Sequence, residues 1–280
     1  MQIATAATNH HTRHPLITGS WATTMHKLSR GGRFTLGIGR GIAAIYHAFG
    51  GVPAVTTAQM EDFAQVMRRL WHGEVIFNHD GPIGKYQVLF LDPDFREDIR
   101  LAIVAFGPPQ TLALGGRAFD DVILHTYFTP ETLQRAVNTV KDAAEQAGRD
   151  PASVRVWSCF ATVGDHLPEE LRLKKTVARL ATYLQGYGDL LVATNKWDPA
   201  VLQRFRQDAV VTSIPPGGID HKATAAQIEH IATLIPPTNG WSLGDRIGAP
   251  VCGPDPQGVR LRCRRGDPAR CDPRTSSNRS

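Results

Sequence analysis

Three glycines alternate with other residues in Gly37-Ile38-Gly39-Arg40-Gly41, between a run of strand type and a segment of helical character. Without Cβ atoms, such a turn lets the backbone approach a phosphate or a flat ring closely. Ile42 stands where the dinucleotide fingerprint needs its next glycine, which counts against a nicotinamide dinucleotide. A tight turn that requires small residues explains the same letters. His10, His11 and His14, with Arg13, follow the first apolar segment. Neutral imidazoles bind metals, but no Asp, Glu or Cys stands nearby to complete a ligand set, so no metal is expected. The cluster reads as a polar loop at a strand end, or as one histidine, His10, lining a pocket where protons move. His125 interrupts the apolar run Val122-Ile-Leu-His-Thr-Tyr127 near the C-terminal end of a strand, where β/α folds place their sites. A core histidine satisfied by hydrogen bonds is the alternative. Gly107-Pro108-Pro109-Gln110-Thr111 follows the most apolar run and opens a helix. Its backbone N–H groups and the Thr111 hydroxyl would suit a phosphate, or the segment is a capped turn. Gly-x-Ser-x-Gly, Walker and paired-cysteine motifs are absent, so hydrolase, NTPase and thiol-redox chemistry have no motif behind them.

The elements that must carry these residues alternate between strand and helix up to about Arg206, which is the α/β signature. Strand-type runs begin near residues 3, 34, 101, 122 and 154 and are too apolar for a sheet with one wet face, so a parallel sheet is expected, as a β/α barrel or a doubly wound sheet. Helices are expected from Pro15 to Ser29, from Thr56 to Trp71 with Thr57 as N-cap, and from Pro130 to Gly148. Two further helices, 168–187 and 199–206, flank a break rich in Gly and Asn. The turn Asp80-Gly81-Pro82 marks a hairpin added to the main pattern.

The 280 residues are 42% hydrophobic and 20% charged, close to globular averages, which argues against a chain that is disordered as a whole, collagen-like repeats and a disulfide scaffold. No membrane-spanning run and no signal-peptide start are visible, so a cytoplasmic location is expected. The net charge of +5 invites a nucleic-acid hypothesis, but residues 245–280 carry eight Arg and four Asp, and thus most of the excess. Three of the four cysteines lie there too. Residues 1–235 therefore read as a domain and 236–280 as an Arg-, Pro- and Cys-rich tail expected to be disordered.

Ile3-Ala-Thr-Ala-Ala-Thr8, Thr12-Arg-His-Pro15, Leu28-Ser29 with Gly32-Arg33, and Leu36-Gly-Ile-Gly-Arg-Gly41 together resemble the luciferase-like monooxygenase superfamily, in particular its oxidoreductases that use the deazaflavin coenzyme F-420. The similarity continues through Thr57-Ala-Gln-Met-Glu-Asp62, the stretch Leu112–Thr126 and Gly148-Arg-Asp-Pro-Ala-Ser-Val154, to about Leu234. The resemblance implies a (β/α)8 TIM barrel with the cofactor ring, F-420 or alternatively FMN, at the C-terminal mouth of the strands. It implies hydride exchange with a small organic substrate, the protein supplying orientation and a proton donor or acceptor. Ala7, Thr8 and Asn9 would then back the ring, at a place where such enzymes often carry a non-proline cis peptide. Gly39, Arg40 and Gly41 would line the mouth. Gly107, Pro108, Gln110 and Thr111 would face the cofactor phosphate, and His125 would face the pocket. His125 and, from the histidine cluster itself, His10 are the catalytic candidates.

The chain departs from the family at both ends. Ile3–Thr8 corresponds to the family's third strand, and the closing strand is replaced by the tail, so about five of eight strands are recognisable and the barrel reads as incomplete. A one-base shift of reading frame can turn Arg264–Arg279 into an apolar strand, a glycine turn and a Thr-Pro-Glu helix start, which makes a frameshift the expected origin of the tail. An inactive fragment that self-associates through its open edges is one expectation. A binding protein that uses the basic tail on nucleic acid or anionic surfaces is another, with nucleic acid the less expected partner, and a nicotinamide-dependent enzyme is a third.

Overall fold

The computed structural model describes residues 2–41, 50, 55–159, 163–164 and 166–235. The tail 236–280, Ile42 and the rest of 42–49 lie outside the described residues, as do all readings that fall on them. The described chain forms two compact units. One comprises the residues up to His125 together with Arg135–Trp157, the other Thr126–Gln134 together with the chain from Ser158.

The first unit is built on a five-stranded sheet in which β1 (Ile3–Ala4), β2 (Phe34–Ile38), β5 (Arg100–Ala105), β6 (Asp121–Leu124) and β7 (Arg155–Ser158) follow one another in space in that order. The registered pairs β1–β2, β2–β5 and β5–β6 are parallel. Phe34, Leu36, Ile38, Leu101, Ile103, Val122 and Leu124 are all at most 1% exposed, as a sheet covered on both faces demands. Helix α1 (Pro15–Leu28) connects β1 to β2, α3 (Pro109–Ala118) connects β5 to β6, and α4 (Pro130–Gln146) leads from β6 to β7. The β2 to β5 connection holds α2 (Thr57–Trp71) and an antiparallel hairpin of β3 (Ile76–Gly81) and β4 (Gly84–Leu89).

Local chemistry accounts for these elements. A capping box opens α2: the Thr56 hydroxyl accepts from the Gln59 N–H, and the Gln59 side chain accepts from the Thr56 N–H. The N-cap is thus Thr56 and not Thr57, because the reciprocal bond needs Gln59 three positions on. Met60, Phe63, Met67 and Leu70 form the buried stripe of this helix. Gly115 and Gly116 let α3 lie close to its neighbours. A Cβ on Gly116 would fall 2.1 Å from the Val140 carbonyl oxygen of α4, and one on Gly115 would fall 2.5 Å from a Val122 methyl of β6. The hairpin is clasped to α2 by Asp62, whose Oδ2 accepts from the Ile83 N–H and meets the His79 ring at 3.1 Å.

In the second unit short helices predominate: α5 (Glu169–Leu173), a π-helical stretch (Lys174–Ala178), α6 (Arg179–Asn195), α7 (Pro199–Gln207), α8 (Ala209–Ser213), α9 (Ile219–Lys222) and α10 (Ala225–Leu234). Leu180, Leu184, Leu202, Phe205, Ile219 and Ile231 form its core. The break expected at the Gly-rich stretch appears as a kink: Tyr187 departs from helical geometry (φ −126°, ψ 16°), so α6 is two helical stretches joined there, the second of which stops at Lys196 in a left-handed conformation. The strand expected over 154–163 is confined to Arg155–Ser158 within the described residues.

Candidate functional site

The register of the sheet decides which residues meet at its C-terminal edge. Ile38 pairs with Ile103, and Ala105 pairs with Leu124. The segments that leave β2, β5 and β6 therefore emerge side by side: Gly39–Gly41, Phe106–Thr111 and His125. The segment after β1 joins them, because Thr8 forms a parallel bridge to Ile38 and its N–H donates to the Gly37 carbonyl at 2.8 Å. Between the pairs Ala4↔Thr35 and Thr8↔Ile38 the first strand holds one residue more than its partner, so it bulges. The Ala6–Ala7 peptide bond in this bulge is cis.

Gly37 anchors the arrangement from below. Its N–H donates to the Thr5 hydroxyl at 2.8 Å, and that hydroxyl donates to the Gly37 carbonyl at 2.9 Å. A Cβ on Gly39 would sit 3.0 Å from the Ala7 Cβ, so the two segments touch at backbone distance. Ala6, Ala7, Asn9, Arg40 and Gly41 are exposed, whereas Thr8 is buried. Gly41 adopts φ 67°, a conformation glycine takes without strain. The Arg40 Nε donates to the Val55 carbonyl at 2.9 Å, which ties a guanidinium to this edge.

Pro108 is the N-cap of α3, and neither it nor Pro109 has an N–H. The N–H groups of Thr111 and Leu112 donate to the Pro108 carbonyl, at 3.0 and 3.2 Å. The amide of Gln110 is the donor of the first turn left uncommitted to the helix. Thr111 is 4% exposed, and Gly107, at φ 123°, makes the bend into the helix. The turn thus offers an anion one helical amide and the exposed Gln110 side chain, a sparser donor set than a helix start without prolines provides.

His125 continues β6, and its N–H donates to the Ala105 carbonyl at 3.1 Å. Its half-buried ring stacks on Phe106, with centroids 4.0 Å apart and planes inclined by 26°. The three N-terminal histidines, which share a cluster in the sequence, do different work in space. His14 caps α1 by accepting the Leu16 N–H on Nδ1. His10 and His11 share a single 3-10 turn, with ring centroids 5.5 Å apart. His10 is only 2% exposed and lies against Phe63 of α2 at 4.7 Å. Neither of its ring nitrogens has a hydrogen-bond partner among the described residues. Burial, aided by the neighbouring His11, pushes its pKa down to about 4, so the ring is neutral near pH 7. Among the described residues no group of three His, Cys, Asp or Glu could hold a metal.

At the opposite end of β6 stands a constellation that sequence reading missed. Asp121 is 1% exposed and accepts from Arg155 Nε at 2.6 Å, Arg100 Nε at 2.9 Å and Trp157 Nε1 at 2.7 Å. Burial alone would raise this carboxyl, but the hydrogen bonds from Arg155, Arg100 and Trp157 outweigh it and hold the pKa below its ordinary value. Its place at the N-terminal end of the strand makes it an anchor for three strands and keeps it away from the edge where His125 stands.

Residues 1–233 match the family described as luciferase-like monooxygenase. The chain belongs to that family. As a luciferase-like protein it has the incomplete (β/α)8 barrel as its fold, and the five parallel-type strands are its recognisable part. Over 156 residues it is 31% identical to a phthiodiolone/phenolphthiodiolone dimycocerosates ketoreductase of Mycobacterium tuberculosis, a match covering 55% of this chain and 41% of the relative. Among solved structures it is similar to the coenzyme F-420-dependent tetrahydromethanopterin reductase from Methanopyrus kandleri, with TM-score 0.59 and 17% identity over 84% of this chain and 75% of that one. An F-420-dependent secondary alcohol dehydrogenase aligns with TM-score 0.55 and 19% identity, over 74% of this chain and 65% of the other. No helix among the described residues is long and apolar enough to cross a membrane.

Proposed function

We propose that this luciferase-like chain is the cofactor-binding part of an oxidoreductase that moves a hydride between a small organic substrate and the deazaflavin coenzyme F-420, with FMN as the alternative cofactor. The observation that carries this reading is the meeting of four loop segments on one sheet edge, two of them with small residues at the surface. Ala6, Ala7 and Gly41 are exposed and offer nothing larger than a methyl group, so a flat ring can lie on backbone there. When bound, the deazaflavin supplies or accepts the hydride. The chain's own residues bind and orient. Ala7, Thr8, Asn9, Gly39 and Gly41 form the floor, and Arg40 supplies positive charge beside it. Gly107, Pro108, Gln110 and Thr111 shape the turn that receives an anionic group. His125 is the group that gives a proton to, or takes one from, the substrate oxygen. On this reading His10 stays out of the transfer, because its ring is 2% exposed and packs against Phe63 of α2.

Fluorescence titration of the full chain with F-420 and with FMN tests the proposal. Saturable binding of F-420, weakened at least tenfold by Gly41→Val, is the expected result. Retention of neither cofactor would overturn it, and binding of FMN alone would assign the site to the flavin.

A further inference from the structure

The backbone of β6 fixes where the Cα of His125 stands, but not where its ring nitrogens point. Rotation about the Cβ–Cγ bond of a histidine is broad and roughly two-fold, so an unsupported imidazole sweeps its nitrogens over a wide arc. Here the ring has a platform. The pairing of Ala105 with Leu124 and the bond from His125 N–H to the Ala105 carbonyl put residues 106 and 125 side by side, each one residue past the end of its strand. The Phe106 ring lies face to face with the imidazole at 4.0 Å. Such stacking restricts the ring plane through the face of the imidazole and not through a nitrogen, so it orients the ring without consuming a hydrogen-bonding site.

We propose that Phe106 is a positioning residue whose aromatic face holds the imidazole of His125 in one orientation for proton transfer. The inference rests on the reading of His125 as the proton-handling group. It gives a role to an aromatic residue that directly follows β5. Proton transfer requires donor and acceptor within about 2.6–3.2 Å, and a displacement of about 1 Å at such a centre costs up to about a hundredfold in rate. A ring of similar size and flatness at position 106 preserves the platform, whereas an aliphatic side chain fills the volume without presenting an aromatic face to the imidazole.

The test uses the full chain and the variants Phe106→Met, Phe106→Leu, Phe106→Tyr and His125→Gln. Proton NMR of the His125 ring, without cofactor, reads the stack directly through the ring-current shift that Phe106 imposes. The two aliphatic variants should move the His125 signals, and Phe106→Tyr should restore them. In turnover assays with the cofactor that binds, the aliphatic variants should lose about tenfold or more in kcat with KM for the cofactor little changed, and Phe106→Tyr should recover most of it. His125 signals unchanged in both aliphatic variants would overturn the inference. So would unaltered kcat in those variants where His125→Gln abolishes turnover, and that result would leave the proposed function standing. Full turnover in His125→Gln would instead overturn the assignment of His125 and the catalytic meaning of its platform together.

Discussion

Thr5 and Gly37 close a reciprocal pair of hydrogen bonds across the first two strands: the Thr5 hydroxyl accepts from the Gly37 N–H at 2.8 Å and donates to the Gly37 carbonyl at 2.9 Å. A Cβ on residue 37 would fall 1.8 Å from the Thr5 carbonyl oxygen, a backbone atom that cannot swing aside. Gly37→Ala is therefore expected to cost about 3 kcal/mol or more, seen as a lower urea midpoint. Thr5→Val, which loses the bonds without adding the clash, should cost about 1–2 kcal/mol. Equal losses from the two variants would show that the hydrogen bonds, and not the close approach, govern this site.

Asp121→Asn should destabilise the chain by about 3–5 kcal/mol, because it leaves Arg100 and Arg155 without the carboxylate they share. Asp189→Asn removes an exposed pair with Arg206 and should change stability by at most about 1 kcal/mol. Chemical denaturation of both variants at pH 7 makes the comparison. Because the folded carboxyl of Asp121 is held below its ordinary value, its contribution is present above the unfolded carboxyl range and is lost as pH falls through the folded value. The stability of Asp121→Asn should accordingly fall less steeply with acid than that of the unaltered chain.

His10 has the opposite chemistry but a loss in the same direction. The folded ring binds its proton near pH 4, whereas an unfolded histidine binds near 6.5. The unfolded state takes up the proton first as pH falls, so the stability held above about 6.5 declines between 6.5 and 4 and levels off below. A gap of that size corresponds to about 3 kcal/mol. Thermal melts of His10→Phe between about pH 7 and 4.5 should show a shallower decline than those of the unaltered chain. Parallel curves would mean that another group titrates in that window.

Asn195 holds the start of the second unit. Its Nδ2 donates to the Tyr127 carbonyl at 2.9 Å, and its Oδ1 accepts from the Thr129 N–H at 3.2 Å. Between them they fix Tyr127, a non-glycine residue, at φ 68°. Asn195→Ala should cost about 2 kcal/mol and speed hydrogen exchange over 126–134. Unchanged exchange in that segment would show that the turn is held by other contacts.

Much of the fold is legible along the chain. Strand runs near 3, 34, 101, 122 and 154, the hairpin at Asp80-Gly81, and helix starts at Pro15 and Pro130 all depend on signals within a few residues, namely apolar period, proline and glycine. The N-cap of α2 lies one residue before the expected Thr57 because the deciding partner, Gln59, acts through a side-chain bond that a pattern of apolar residues does not reveal. The break expected near Tyr187 is a kink between two helical stretches, and the second stretch is held by burial that no local signal shows: Leu184 before the kink and Leu191 after it are both fully buried.

For the site, sequence alone determined the residue types: glycines and alanines where backbone must be bare, a histidine at a strand end, prolines at a helix start, and the resemblance that these letters carry together. Tertiary structure decided what each of them faces. That Phe106 lies under His125, that Asp121 gathers two arginines and a tryptophan, and that His10 is buried while His14 caps a helix all follow from strand register and helix docking. Those are set by the burial of apolar surface contributed by segments far apart in the chain, and no local pattern contains them.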